Sequence, residues 1–281
     1  MKQYIVDAFT EELFSGNPAG VLPCRAMPDP ALMHKIAIEN NYSETAFVVK
    51  KGGETNGTGG NCCKEGEEPR VGRYELKWFT PGGEVDLCGH ATLATAFVLH
   101  DFADPGVEEM HFDSISGELI VTAEEKGFTL NFPVGNYRPV PVSAEILAAT
   151  AGMAQEAYYE DGDLVVFFPD EAAVAAFIPD MEAIKKTPGR GMVITAASAA
   201  ADFDFVSRCF YPKLDVPEDP VTGSAHTYLT PIWAEKLGKK EMTARQISAR
   251  GGTLRVRLAG DRVYITGQSV LFMQGEIPFD L

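Results

Sequence analysis

The chain lacks an apolar run long enough to cross a membrane as a helix. It also lacks any cluster of Lys and Arg to offset its formal net charge of -16. Nucleic acid and anionic membrane surfaces are therefore excluded as expected partners. Met1-Lys2-Gln3-Tyr4-Ile5-Val6-Asp7 runs straight into a strand-like pattern without the apolar block of a signal peptide, and the expected location is the cytoplasm. Cysteine is sparse and odd in number: five residues without regular spacing, which argues against a disulfide framework. Vicinal Cys62-Cys63 has no second Cys/His pair at zinc-ligand spacing, so no metal site is expected. An anionic substrate would have to be held by local N–H dipoles, since the overall field repels it. What the chain does have is 281 residues, 45% hydrophobic, enough for one large core or two ordinary ones.

Two stretches share one design. Glu218-Asp219-Pro220-Val221-Thr222-Gly223-Ser224-Ala225-His226 opens a segment with apolar residues at Tyr228, Leu229, Ile232, Trp233 and Leu237. Proline pushes Asp219 toward extended geometry, and the later spacing is helical. Ser224 stands where a hydroxyl would cap orphan N–H groups. Upstream, Thr80-Pro81-Gly82-Gly83-Glu84-Val85-Asp86-Leu87-Cys88-Gly89-His90 leads into Ala91-Thr92-Leu93-Ala94-Thr95-Ala96-Phe97-Val98-Leu99. That helix has almost no polar face, so burial all round is expected. Either helix alone reads equally as a core helix with an ordinary cap. As a pair, about half a chain apart, they point to an internal repeat of domain size. Gly89-His90 and Gly223-Ser224 would each present free N–H groups to an anion, with Asp219, Ser224 and His226 adding an acid, a hydroxyl and an imidazole.

Taken in order, Gln3–Phe9 is strand-like, and Ser15-Gly16-Asn17-Pro18-Ala19-Gly20 is a turn cluster, with Asn17 read locally as a turn residue. A helix follows Pro28-Asp29-Pro30, then a strand from Glu44 to Lys50. On local grounds Glu44 is a solvated edge residue, and it gains interest only if its strand end faces the helix starts. Residues 52–70 are Gly-rich, charged and without periodicity, and read as a long hairpin loop. Strands are expected at 73–79, 109–113, 117–123, 127–132, 164–168, 191–196, 203–211, 243–248, 253–258, 263–267 and 269–273, with short helices at 144–151 and 170–186. His100 and His111 lack a supporting acid or Gly turn and read as structural. Short strands around one buried helix per half account for the pattern.

The Glu218–His226 stretch resembles the signature of the phenazine-biosynthesis-like (PhzF) family. Val6-Asp7-Ala8-Phe9 with Gly16-Asn17-Pro18, Ser43-Glu44-Thr45-Ala46-Phe47-Val48, Phe79-Thr80-Pro81 through Gly89-His90-Ala91-Thr92-Leu93-Ala94, and Arg245-Gln246 with Arg250-Gly251-Gly252 match it too, in the family's order. The resemblance implies an α+β, diaminopimelate-epimerase-like fold. Its two pseudo-symmetric halves are each a barrel-like β-sheet wrapped around a central helix, with the active site in the cleft between them. The expected division is 1–115 with a returning strand at 270–281, and 116–269. The resemblance also implies a homodimeric isomerase without cofactor, acting on a small carboxylate. It assigns acid/base catalysis to Glu44 and polar site roles to His90, Asp219 and Ser224, with Asn17, Cys88, Gly89 and Gly223 as substrate-binding candidates.

Two-base epimerases of this superfamily carry a cysteine at each helix start. Cys88 keeps the first position, while the second falls near Val221 or Thr222, and neither is a thiol. The expectation is thus a proton shift on one face by Glu44, which becomes the acid after abstraction, its pKa raised by burial. A two-base epimerase or racemase of an amino acid and a non-catalytic small-anion binding protein are the alternatives.

Overall fold

The structure, a computed structural model, describes residues 1–52, 69–160 and 162–278. The expected hairpin loop at 52–70, with Cys62-Cys63, lies almost wholly outside the described residues. The chain divides into two compact units, Met1–Asn131 with Thr266–Leu281, and Phe132–Ile265. The hairpin of Gly117–Glu124 and Gly127–Pro133 stays largely with the first unit because Gly117–Glu124 pairs antiparallel with Glu109–Ser114. The chain therefore leaves the first unit after Asn131 rather than near 115.

In the first unit, Lys2–Ala8 lies between Ser269–Glu276 and Asn17–Cys24, antiparallel to both. Asn17–Cys24 runs parallel to Glu44–Lys50, which pairs antiparallel with Val71–Thr80. Val71–Thr80 turns back through Gly83–Val85 and lies parallel to Glu109–Ser114. In the second unit, Glu156–Glu160 pairs antiparallel with Asp163–Phe167, which runs parallel to Gly191–Ala197. Phe205–Tyr211 follows antiparallel, turns back through Val216–Asp219, and lies parallel to Glu241–Gln246. The two units thus repeat one strand order, with a helix between the short return strand and the next parallel one.

The helix of the first unit, Gly89–Val98, is buried at every residue but Phe97. It packs on strands 2–8, 17–24, 44–50, 117–124 and 269–276, so the sheet curls around it. Its two threonines are tolerated there because each hydroxyl bonds back one turn: Thr92 Oγ1 to the Cys88 carbonyl at 2.6 Å and Thr95 Oγ1 to that of Ala91 at 2.6 Å. The second central helix, His226–Leu237, contains Pro231, which cannot donate to the carbonyl of Thr227. Gly135 N–H supplies that bond instead, at 3.2 Å. Outside the sheets, helix Pro30–Asn40 covers Leu22, Phe47 and Phe79 in the first unit. Ala144–Ala149, Glu171–Ala176 and Met181–Lys186 cover Leu164, Ile194 and Phe210 in the second. Asp163, fully buried, is matched by two bonds from Arg190 and by the hydroxyls of Tyr211 and Tyr228, a structural arrangement. No described helix is long and apolar enough to cross a membrane.

Candidate active site

Glu44 is the first residue of its strand, opposite Ala19 in the parallel pairing. The turn before it is pinned from both sides: Gln3 Nε2 donates to Asn40 Oδ1 at 2.6 Å, and Asn40 Nδ2 to Thr45 Oγ1 at 3.1 Å. Asn17 is not a turn residue but the first residue of strand Asn17–Cys24, and fully buried. Gly16 permits this. Its φ of 67° suits glycine, and a Cβ there would overlap the Ala8 carbonyl. Cys88 stands in extended geometry before the helix and His90 in its first turn, which brings both side chains to the same place.

These elements gather six residues of the first unit: Asn17, Ser43, Glu44, Cys88, Gly89 and His90. Glu44 Oε2 lies 3.1 Å from His90 Nε2. Ser43 Oγ is 3.3 Å from the same nitrogen and donates to Asn17 Oδ1 at 3.4 Å. Asn17 Nδ2 and Cys88 Sγ approach His90 Nδ1 at 3.2 and 3.5 Å. Glu44 Oε2 is buried, and its approach to His90 lacks hydrogen-bond alignment, leaving the oxygen without a hydrogen-bond partner. The solvated edge reading of Glu44 therefore fails: its side chain is 18% exposed and meets a buried imidazole.

The three ionisable groups control one another. Burial disfavours the Glu44 carboxylate, but His90, then Ser43 and Cys88, outweigh it and hold the carboxyl below its ordinary range. This corrects the expectation that burial raises it. Burial also disfavours a charged His90, yet the Cys88 sulfur and the Glu44 carboxylate together raise the ring well above its ordinary value. Cys88 itself is pushed up to about 11, first by burial and then by Glu44. A thiol protonated at neutral pH leaves Glu44 as the anion that sustains the His90 charge. The directions of these shifts favour a carboxylate–imidazolium pair beside a neutral thiol.

In the second unit, Gln246 organises the segment before the helix. Its Nε2 donates to the Asp219 carbonyl at 2.7 Å and to Thr222 Oγ1 at 3.2 Å, while its Oε1 accepts from Thr222 N at 2.9 Å. Thr222 Oγ1 donates to Asp219 Oδ2 at 2.5 Å. Asp219 and Ser224 are half-buried, and Gly223 is buried beside them. Ser224 does not cap the helix by its hydroxyl. The helix begins at His226, and the Ser224 carbonyl accepts from Thr227 N at 3.1 Å and from Thr227 Oγ1 at 2.7 Å. His226 is turned into the core. Its ring stacks on Phe205, Nδ1 bonds the Thr222 carbonyl at 2.9 Å, and burial pushes its pKa down to about 4. Sequence reasoning missed Ser43 as a neighbour of His90, although Ser43 sits in a quoted family segment. It also missed Cys209, opposite Asp219 across the strands. Burial pushes the Cys209 thiol well above its ordinary range.

Comparison with known proteins agrees in extent with this architecture. The family model described as "Phenazine biosynthesis-like protein" matches residues 6–275. A protein of Pseudomonas aeruginosa named an uncharacterized isomerase is 43% identical over 272 residues, 97% of this chain and 96% of its own. The crystal structure of a phenazine biosynthesis protein of the PhzF family from Enterococcus faecalis superposes with a TM-score of 0.87 at 44% identity, covering 99% of both chains. A probable proline racemase from Agrobacterium radiobacter shares the fold alone, with a TM-score of 0.57 at 11% identity over 99% of this chain and 93% of its own.

Proposed function

The chain belongs to the phenazine biosynthesis-like family and is an isomerase, and we propose that it moves a carbon-bound proton on a small carboxylic acid with Glu44 as both base and acid, without a cofactor. The observation that carries this is Glu44 Oε2, a buried carboxylate oxygen without an aligned hydrogen bond, 3.1 Å from the buried His90 Nε2. Such an oxygen is ionised at neutral pH and has a vacant acceptor position. Its lowered pKa makes it a weak base but a ready acid, which suits the return of the proton. The abstraction is helped by His90. As Glu44 takes the proton its negative charge disappears, and the imidazolium is left to pair with the charge developing on the substrate.

A stereoinverting second base is not supported by Cys88, whose thiol is pushed up to about 11. From the family resemblance we assign substrate-orienting roles to Asp219 and Ser224 and substrate contacts to Asn17, Gly89 and Gly223. The same resemblance supports a homodimer in the cytoplasm, which sedimentation and cell fractionation would check. The test of the chemistry is a screen of small carboxylic acids in deuterated water. Exchange into one compound is expected with the native protein, reduced by about 10²–10⁴-fold in Glu44→Gln, the usual contribution of a positioned acid/base. Near-normal exchange by Glu44→Gln sinks the assignment.

A further inference from the structure

We infer that Glu44, Cys88 and His90 form a binding site for a zinc-like divalent ion, and that the ion blocks the enzyme by occupying its proton-transfer group. Donor atoms from the three side chains all lie within 4.8 Å of one another. Glu44 Oε2 and His90 Nε2 are 3.1 Å apart, and Cys88 Sγ is 4.0 Å from the same nitrogen. Tetrahedral zinc with ordinary bond lengths places an oxygen and a nitrogen ligand about 3.4 Å apart, and a nitrogen and a sulfur about 3.6 Å. Cys88 Sγ is nearer His90 Nδ1, at 3.5 Å, than Nε2, so convergence on one ion requires the thiol and the imidazole to rotate toward each other. Glu44 Oε2 is buried and makes no aligned hydrogen bond, so a cation placed against it would complete its acceptor position.

The donor set chooses the ion. One thiolate, one imidazole and one carboxylate match zinc and its borderline-soft neighbours, whereas magnesium and calcium require shells of oxygen. Three protein ligands leave the fourth position for water. Binding forms Zn–S, Zn–N and Zn–O bonds and breaks the Cys88 S–H and the His90 Nε2–H bonds, so two protons pass to solvent. His90 keeps its proton on Nδ1, which needs an acceptor there in the metal-bound ring as in the imidazolium. A half-turn of the Asn17 amide presents its oxygen in place of the nitrogen now 3.2 Å away. The blocking consequence rests on the acid/base reading of Glu44, but the binding itself does not.

Cobalt(II) is the probe, because a thiolate ligand produces a charge-transfer band in the near ultraviolet. The full chain is used in a Cys62→Ser, Cys63→Ser background, which removes the vicinal thiols as competing ligands. One cobalt per chain is expected, with a thiolate band that zinc displaces and that is absent from a folded Cys88→Ser chain. Zinc affinity measured by calorimetry is expected to fall roughly tenfold or more in Glu44→Gln and in His90→Asn. A band that survives Cys88→Ser, no thiolate band at all, or zinc affinity unchanged in both Glu44→Gln and His90→Asn overturns the inference. All these readouts are independent of turnover, so this inference and the acid/base assignment can fail separately.

Discussion

Replacing Glu44 by Gln keeps the shape of the side chain and removes the charge 3.1 Å from His90 Nε2. The resulting loss of stability has a pH dependence of definite sign. In the native protein the His90 pKa is raised, so the ring contributes fully below its unfolded value of 6.5 and loses that contribution as pH rises through the folded value. In Glu44→Gln the attraction is gone while burial remains. The ring then resists protonation, and the variant loses stability as pH falls below 6.5. Glu44 itself, with a lowered pKa, contributes above its unfolded value of 4.5 and withdraws only as pH falls through the folded value. The two His90 effects act in the same direction. The substitution is therefore most damaging between 4.5 and 6.5 and becomes milder as pH rises. Breaking a buried pair sets the size, on the order of 3–5 kcal/mol at the maximum. One proton sets the steepest slope, about 1.4 kcal/mol per pH unit. His226, pushed down to about 4, also withdraws stability in acid, but equally in both proteins, so it cancels in the difference. Urea unfolding of both proteins from about pH 5 to pH 9 gives that difference directly. A difference that is flat, or that grows with pH, refutes the carboxylate–imidazolium pair.

Three further outcomes are expected. Alkylation of Cys88 by iodoacetamide should be slow at neutral pH and still accelerating at pH 10, because the thiol is pushed up to about 11; a plateau below its ordinary value of 9.0 contradicts this. Gly267→Ala should lower stability by about 1–3 kcal/mol in thermal unfolding, since a Cβ there overlaps the Phe9 ring and lies 3.1 Å from Leu93 Cδ2. Phe9 is fully buried at a φ of 64° and has nowhere to swing. Gln246→Leu keeps the volume but removes the acceptor of the buried Thr222 N and one donor to the Asp219 carbonyl; a loss of about 1–3 kcal/mol is expected for the buried N–H, and an unchanged urea midpoint would mean that other groups hold the segment.

Legibility in this chain follows the range over which each feature is determined. The helix at Gly89–Val98 was readable because its cause is local: small apolar residues on every face after a Pro–Gly turn. The repeat was readable because that local design occurs twice, and the shared strand order bears it out. The strand Glu156–Glu160 was not readable, since Glu-Ala-Tyr-Tyr-Glu gains its extended form from partners on both sides, Asp163–Phe167 and Tyr137–Val140. Asn17 was misread for the same reason. Asn-Pro after Gly favours a turn by local rules, but the chain has already turned at Phe14 and Gly16, where φ is 70° and 67°, and Asp7 Oδ2 holds Phe14 N at 3.0 Å. The second helix start misled in the opposite direction: Gly223-Ser224 looks like a cap, yet the segment is held by Gln246 from a later strand. The same limit governs the site. That Glu44 would be buried was a fair expectation, and burial alone raises a carboxyl pKa. The sign reverses because a histidine from a different element arrives within 3.1 Å. Local sequence can announce a base; whether it rests as an acid or as an anion depends on a partner that only the fold brings to it.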